Sequence, residues 1–154
     1  MAIRFIREEG DDILRKKSRE VTVFDERLHT LLDDMFDTMY SAEGVGLAGV
    51  QVGVLKRVVV IDTRGENEKL ELINPVIIKK EGERKTPEAC LSVPGVRGYV
   101  LRPEKVTVRA LDRYGEEHEY TGEGLLAQAF CHEIEHLDGG LFIDKVVEFI
   151  EDDE

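Results

Sequence analysis

The feature that most constrains this chain is an HExxH motif, His132-Glu133-Ile134-Glu135-His136, near its C-terminal end. From about residue 123 to residue 137 the sequence pattern is that of a helix. Asp138-Gly139-Gly140 ends this pattern. On a helix, residues four apart are separated by about 40° around the axis and by one turn along it. The two imidazoles can therefore face one side of the helix and share one metal ion.

Glu133 has a different relation to such a metal. It lies roughly 100° around the helix from His132, so it can contact a metal-bound water without being a ligand. The metal lowers the pKa of that water, and the carboxylate accepts the proton. The alternative is a partly buried helix whose two histidines serve packing only. The remaining histidines, His29 and His118, have no partner pattern and are expected in ordinary surface or core positions.

A catalytic metal site of this kind needs a third protein ligand and one open position. In HExxH metalloproteases the third ligand is often a later histidine or glutamate, but no histidine follows His136 here. Glu148 and Glu151 could serve in principle. Both belong to an acidic terminus with the composition of a solvated segment, so they are weak candidates.

Cys90 is the better candidate for the third ligand. Pro87 and Pro94 bound its segment, which predicts an irregular, rigid active-site loop. A buried structural cysteine fits the residues equally well, so this segment alone leaves the question open. Cys131 is a poorer candidate, since on the helix it would point about 100° away from His132.

The segment Gly44 to Gly53 contains four glycines in ten residues, which permits positive φ angles and close backbone approach. It lacks the Lys-Ser/Thr ending of a P-loop and the strand-then-helix context of a dinucleotide site. Gln51 is its one neutral amide side chain and could donate a hydrogen bond to a carbonyl oxygen. An exposed glutamine in a glycine-rich turn is the simpler interpretation of this segment alone.

The rest of the chain predicts a mixed structure with local strand pairing. Apolar spacing indicates a helix over residues 25–40, and a β-branched run indicates a buried strand over 57–62. Residues 70–80 read as a strand interrupted at Pro75, at an edge or a bulge. Residues 104–111 and 116–120 flank a turn and predict a hairpin. The predicted class is α+β, a single domain with antiparallel sheets packed around a central helix that carries HExxH.

Charge and composition exclude several classes of function. The net charge of −12 argues against a nucleic-acid surface, which needs clustered Lys and Arg. No apolar stretch approaches the ~20 residues of a membrane span, and no signal-peptide core is present, which predicts a cytoplasmic protein. We expect a catalytic domain over residues 1–150 and an acidic tail over residues 151–154.

Together, three of these segments resemble the peptide deformylase family, whose members carry GxGxAAPQxG, EGCLS and QHExDHLxG boxes. The corresponding segments here are GVGLAGVQVG (44–53), EACLS (88–92) and CHEIEHLDG (131–139). Order and spacing agree, and the match continues through residues 141–144, so it covers nearly the whole chain. Three separated boxes are far more specific than HExxH alone.

The resemblance implies a metal-dependent hydrolase that removes the formyl group from the N-terminal formyl-methionine of newly made polypeptides and releases formate. The family metal is typically Fe(II), replaceable by nickel, cobalt or zinc. By position, Cys90, His132 and His136 would bind it and leave the fourth site for water. Glu133 would be the general base that then protonates the leaving amine.

The resemblance also implies roles for residues around this centre. The oxyanion donors would be the Gln51 side-chain amide and the Leu91 backbone N–H. The peptide would be held as an added β-strand by the backbone near Val45 and Gly46. An apolar methionine pocket would draw on Val45, Leu125 and Ala129, with Arg97 near the exit path of the substrate. The implied substrate contacts are Val45, Gly46, Arg97, Leu125 and Ala129.

Several positions depart from the family pattern: Gly49, Val50, Ala89, Cys131 and Glu135. None of them removes a ligand, the base or an oxyanion donor. Gly49-Val50 replaces Ala-Pro, which predicts a looser loop that still delivers Gln51. Restoring Ala-Pro is then expected to stabilise the fold by up to ~1 kcal/mol per substitution. Some members dock on ribosomes through a basic C-terminal extension, and the acidic C-terminus here does not support that mode.

Two rival functions are compatible with HExxH. A small endopeptidase would cleave internal peptide bonds, although the chain offers little room for a long substrate cleft. A metal-binding or scaffold protein of the same fold would bind metal and release no formate.

Overall fold

The computed structural model describes residues 2–151, which form two α-helices and eight strands. Three short 3-10 helices cover Asp12–Arg15, Gly49–Val52 and Phe142–Asp144. The α-helices are α1, Glu26–Ser41, and α2, Leu125–Leu137. The strands are β1 Gly46–Ala48, β2 Val58–Asp62, β3 Lys69–Glu81, β4 Arg84–Cys90, β5 Val93–Arg102, β6 Lys105–Leu111, β7 Glu117–Glu123 and β8 Glu148–Ile150.

All pairings between these strands are antiparallel, and they form two sheets. The larger sheet has the order β1-β2-β3-β6-β7, and the smaller has the order β4-β5-β8. Helix α2 packs against strands of both sheets. Every residue of α2 except Leu125 and Glu135 is buried. The predicted α+β class and the antiparallel sheets in one small domain are confirmed.

Strand β2 is covered on both faces, which explains its apolar run. Side chains alternate across a strand. Val58 and Val60 accordingly pack with α1, while Val59 and Ile61 pack with α2 and its neighbours. In a half-exposed strand apolar and polar residues alternate. In a strand buried on both faces every position is apolar, so the run is continuous.

Helix α1 begins where its sequence provides a cap. The Asp25 side chain accepts a hydrogen bond from the Leu28 N–H, which satisfies a donor that the first turn leaves unpaired. Helix α2 ends at Leu137, and Gly139 follows with φ of 84°. A Cβ at Gly139 would lie 2.4 Å from the Arg15 carbonyl oxygen, so only glycine fits this turn. Neither helix of the described chain is long and apolar enough to cross a membrane.

The expectation of an irregular segment between Pro87 and Pro94 is wrong. Pro87 lies within β4 and Pro94 within β5, and the two strands form a hairpin that turns at Leu91 and Ser92. Strand β4 is the edge of its sheet, where the missing N–H of a proline costs no ladder hydrogen bond. Cys90 therefore sits at the end of a paired strand.

Strand β3 has a register irregularity at Pro75, as one of the two predicted alternatives requires. Pairing with β2 ends at Ile73, so Pro75 lies just past the last partner on that side. The register with β6 shifts between Ile73 and Val76, and Asn74 has φ of 52°. The Asn74 side chain bonds both the N–H and the carbonyl of Val21, which fixes this bend against the N-terminal segment.

The structure argues against the expectation that alanine at position 49 stabilises the fold. A Cβ at Gly49 would lie 2.8 Å from Val58 Cγ2, 3.0 Å from the Lys56 carbonyl oxygen and 3.1 Å from that of Val54. We predict that Gly49→Ala lowers the free energy of unfolding by about 1–3 kcal/mol, because overpacking forces a backbone shift. Urea unfolding tests this. Equal or higher stability would show that the loop can relax around the methyl group.

The predicted acidic tail is only partly described. Glu151 follows β8 without regular structure, and residues 152–154 lie outside the described residues. Glu148, considered as a metal ligand, lies in β8 and pairs with the exposed Lys85 at 2.9 Å. It is not part of the histidine cluster.

Candidate active site

Two elements bring three metal-ligating side chains together. Cys90 comes from the end of β4, while His132 and His136 come from one face of α2. One ligand atom from each residue lies within 4.8 Å of the other two, and all three residues are buried. Cys90 Sγ lies 3.3 Å from His136 Nε2. A thiolate and two imidazoles suit a divalent transition metal, so the donor set fits the metal that the sequence implies.

His132 is oriented by a buried carboxylate. Its Nδ1 lies 2.6 Å from Glu88 Oε2, so Nδ1 carries the proton and Nε2 is left with a free lone pair. Burial alone would raise the pKa of Glu88, but hydrogen bonds from His132 and Arg102 outweigh it and lower the pKa to about 2. Glu88 is therefore an acceptor at neutral pH.

Glu133 lies beside this cluster with an unsatisfied oxygen. The residue is 5% exposed, its Oε2 lies 4.0 Å from His132 Nε2, and its Oε1 has no hydrogen-bond partner among the described residues. Burial raises the pKa of Glu133 to about 7, although the neighbouring His132 acts in the opposite direction. A buried carboxylate that titrates near neutrality and lacks a donor is suited to exchange a proton with a bound molecule.

The Gln51 amide is held in one orientation. Its Oε1 accepts from the Ala48 N–H at 2.9 Å. Its Nε2 donates to Ser92 Oγ at 2.9 Å and lies 3.6 Å from Cys90 Sγ. One N–H of the amide is therefore directed at Ser92, and the other at Cys90 in the cluster. A local contact with Ala48 and longer-range contacts with Cys90 and Ser92 together fix this orientation.

Cys131 is excluded from the cluster. It is 4% exposed and packs in the apolar core between α2 and the sheets. Burial raises the pKa of its thiol, which favours the neutral form. Its side chain therefore behaves as a small apolar group.

A cavity of about 350 Å³ opens beside the cluster. Its walls include every ligand, base and oxyanion donor proposed from the sequence, with the exception of His136. They also include every proposed substrate contact except Arg97. Its lining residues are Glu43, Gly44, Val45, Gly46, Gln51, Pro87, Glu88, Ala89, Cys90, Leu91, Leu125, Gln128, Ala129, His132 and Glu133. Arg97 lies in β5 and pairs with Ala89 of β4, which lines the cavity, so Arg97 is on the neighbouring strand and does not line it.

The sequence interpretation missed four residues of this site: Glu88, Ser92, Arg102 and Gln128. Glu88 and Ser92 stand two residues on either side of Cys90 and could have been proposed from that box. Arg102 and Gln128 carry no local pattern, because their contacts with Glu88 arise only from tertiary structure.

Comparison with known proteins points to one family. The family model described as polypeptide deformylase matches residues 3–151. A peptide deformylase from Acetivibrio thermocellus is 62% identical over 154 residues, covering 100% of this chain and 89% of the relative. One from Caldanaerobacter subterraneus is 57% identical, covering 100% and 96%.

Solved structures agree with the sequence relatives. A crystal structure of a peptide deformylase from Legionella pneumophila matches with a TM-score of 0.91 at 52% identity, covering 94% of this chain and 86% of that chain. The peptide deformylase from Thermotoga maritima matches with a TM-score of 0.90 at 37% identity, covering 95% and 99%.

Proposed function

We propose roles for individual residues on the premise that this chain belongs to the polypeptide deformylase family. Its function is the metal-dependent hydrolysis that removes the N-formyl group from polypeptides. The observation that carries the assignment of roles is the buried Cys90, His132 and His136 cluster with an unpartnered Glu133 oxygen beside it. We further propose that residues 1–150 form the catalytic domain.

Cys90, His132 and His136 would hold the metal, which we propose to be Fe(II), with nickel, cobalt or zinc as substitutes. Ligand chemistry is compatible with all four ions. When bound, the metal supplies a Lewis acid and makes water nucleophilic near neutral pH. Glu88 supports this role because it leaves Nε2 of His132 as the free ring nitrogen.

Glu133 would accept the proton of the attacking water and pass it to the leaving amine. The pKa of about 7 allows both directions of transfer near neutral pH. The Gln51 amide and the Leu91 N–H would stabilise the oxyanion that develops on the formyl oxygen. Hydrogen bonds with Ala48 and Ser92 hold the Gln51 amide in one orientation beside Cys90, which supports this role.

The substrate backbone would pair with β1. This strand is the edge of the larger sheet, and Val45 and Gly46 line the cavity. An edge strand can accept an extended peptide as an added strand. The methionine side chain would lie against Val45, Leu125 and Ala129, and Arg97 would lie near the exit path.

We propose that the substrates are nascent chains that begin with formyl-methionine, and that the protein acts in the cytoplasm. No nucleic-acid surface is proposed, in line with the net charge of −12. Docking to the ribosome has no support from the acidic C-terminal residues.

Formate release from a formyl-Met peptide tests the function. Protein would be loaded with Fe(II) or Ni(II) without oxygen. We predict a preference of at least ~10²-fold for formyl-Met over acetyl-Met peptide. The methyl group of the acetyl substrate would collide where Gln51, the Leu91 N–H and the metal converge. A reacting carbonyl displaced by ~1 Å loses about that factor in rate. Comparable rates would favour a general amidase. Cleavage of internal bonds would favour an endopeptidase, and bound metal without formate would favour a scaffold.

Gly46 provides a second prediction, because it makes room for the base. A Cβ at Gly46 would lie 2.6 Å from Glu133 Oε2 and 3.0 Å from Glu133 Cδ. We predict that Gly46→Ala lowers the rate of formate release by about a hundredfold, since a base displaced by ~1 Å loses its geometry. Metal content is expected to stay unchanged.

A double-mutant cycle separates this effect from peptide binding. If Gly46 acts through Glu133, then Gly46→Ala adds little further loss to Glu133→Ala. Multiplicative losses in the double variant would show that Gly46 acts on the substrate strand instead.

A further inference from the structure

A row of charged side chains connects the protein surface to the metal-site histidine His132. Lys145 Nζ lies 2.8 Å from Glu135 Oε2, and Arg102 Nη1 lies 2.6 Å from the same oxygen. Arg102 also forks onto Glu88, with Nη2 2.6 Å from Oε2 and Nε 3.0 Å from Oε1. We call Glu88, Arg102, Glu135 and Lys145 the Arg102 network.

The centre of this network is deeply buried. The Arg102 side chain is 2% exposed, and that of Glu88 is 4% exposed. Removing two charges from water costs free energy that their attraction does not always recover, so a buried ion pair is a weak argument for stability. The geometry of the Glu88–Arg102 pair is therefore a better guide to its role than its stability.

That role follows from what Glu88 contacts. Its Oε2 accepts from both Arg102 and His132, and its Oε1 accepts from Arg102 and from Gln128 Nε2 at 3.0 Å. The planar fork of an arginine fixes the plane of a carboxylate, which the single ammonium of a lysine cannot do. The plane of Glu88 in turn sets the rotation of the His132 ring, and therefore the direction of Nε2.

We propose that Arg102 is a positioning residue of the metal site, which aims His132 Nε2 through Glu88 and is itself held by Glu135 and Lys145. The proposal rests on the proposed role of His132 as a metal ligand. It assigns a purpose to Glu135, which stands where the family pattern has aspartate. The longer glutamate reaches Arg102 and Lys145 with the same oxygen.

The chain offers a matched control at Arg113. This arginine also forks onto one carboxylate, with Nη2 2.8 Å from Glu71 Oε1, and also reaches a second carboxylate, Asp33 Oδ1, at 3.0 Å. It joins β3, α1 and the turn after β6, away from α2. Arg113→Met therefore removes the same kind of interaction without touching the metal site.

The test is the dissociation constant for Co(II), measured by competition with a chelator on the parent, Arg102→Met, Arg102→Lys, Glu135→Gln and Arg113→Met. We expect Arg102→Met to weaken Co(II) binding by about 10–100-fold and to change the Co(II) absorption spectrum. Arg102→Lys should recover part of the affinity, and Glu135→Gln should weaken binding less than Arg102→Met. Arg113→Met should stay within about twofold of the parent, because it is distant from the site.

A purely structural network would lower the melting temperature of Arg102→Met and leave its Co(II) dissociation constant unchanged, which would overturn the proposal. If Arg102→Met does not fold, then Arg102→Lys and Glu135→Gln decide, and parent-like Co(II) affinity in both overturns it. If the parent itself binds no Co(II), or binds it equally well after Cys90→Ala, the proposed metal site fails. If the parent binds Co(II) tightly and depends on Cys90, but the Arg102 and Glu135 variants keep the parent dissociation constant, only the proposal for the Arg102 network is overturned.

Discussion

Glu133→Ala is expected to keep about one metal ion per chain and to lose roughly 10²–10⁴-fold in the rate of formate release. The physical reason is the place of Glu133. It is buried beside the ligand cluster, its Oε2 lies 4.0 Å from His132 Nε2, and its Oε1 has no partner in the described part of the chain. A carboxylate there can exchange a proton with water without completing the coordination of the metal. Steady-state rates and elemental analysis of the same preparation give both quantities.

Glu119→Ala is a suitable control for this experiment, because Glu119 is an exposed carboxylate on β7. It should leave both rate and metal content unchanged. Retention of more than about a tenth of parent turnover by Glu133→Ala at neutral pH would remove Glu133 from the role of general base.

The second large effect distinguishes the two cysteines. Cys90→Ala is expected to reduce bound metal from about one ion per chain to less than about a tenth and to abolish formate release, because it removes one of three protein ligands. Cys131→Ala is expected to keep both, since Cys131 packs in the core away from the cluster. Elemental analysis after gel filtration measures the difference.

The two variants control each other, because both replace a buried thiol by a methyl group. Loss of metal from Cys131→Ala with retention in Cys90→Ala would reverse the ligand assignment. Loss from both, with intact folding by circular dichroism, would indicate that the site depends on packing around α2 and not on the Cys90 thiolate alone.

Much of this architecture could be predicted from local sequence patterns. The spacing of His132 and His136 follows from helical geometry, and the apolar run before Asp62 follows from a strand that is buried on both faces. The three boxes support Cys90 as a candidate ligand more strongly than its own neighbourhood does. Such features depend on residues close together in the chain, which is why sequence reveals them.

The features that sequence missed depend on contacts between distant residues. Arg102 and Glu88 are joined through the pairing of β4 with β5, and no local pattern marks that pair. Pro87 in the sequence favours irregular structure, whereas an edge strand accommodates it. The space around Gly49 is filled by Val58 and by backbone carbonyls, which a comparison with a family box does not reveal.

The most direct test of the proposed metal centre is anomalous diffraction at the zinc edge from crystals of the Zn(II)-loaded protein. We predict one peak, about 2.3 Å from Cys90 Sγ and about 2.0–2.1 Å from Nε2 of both His132 and His136. The group Asp112, Glu116 and His118, of which Glu116 and His118 are exposed, also brings its ligand atoms within 4.8 Å of one another. A peak at that second group, with none beside Cys90, would contradict the assignment of the active site.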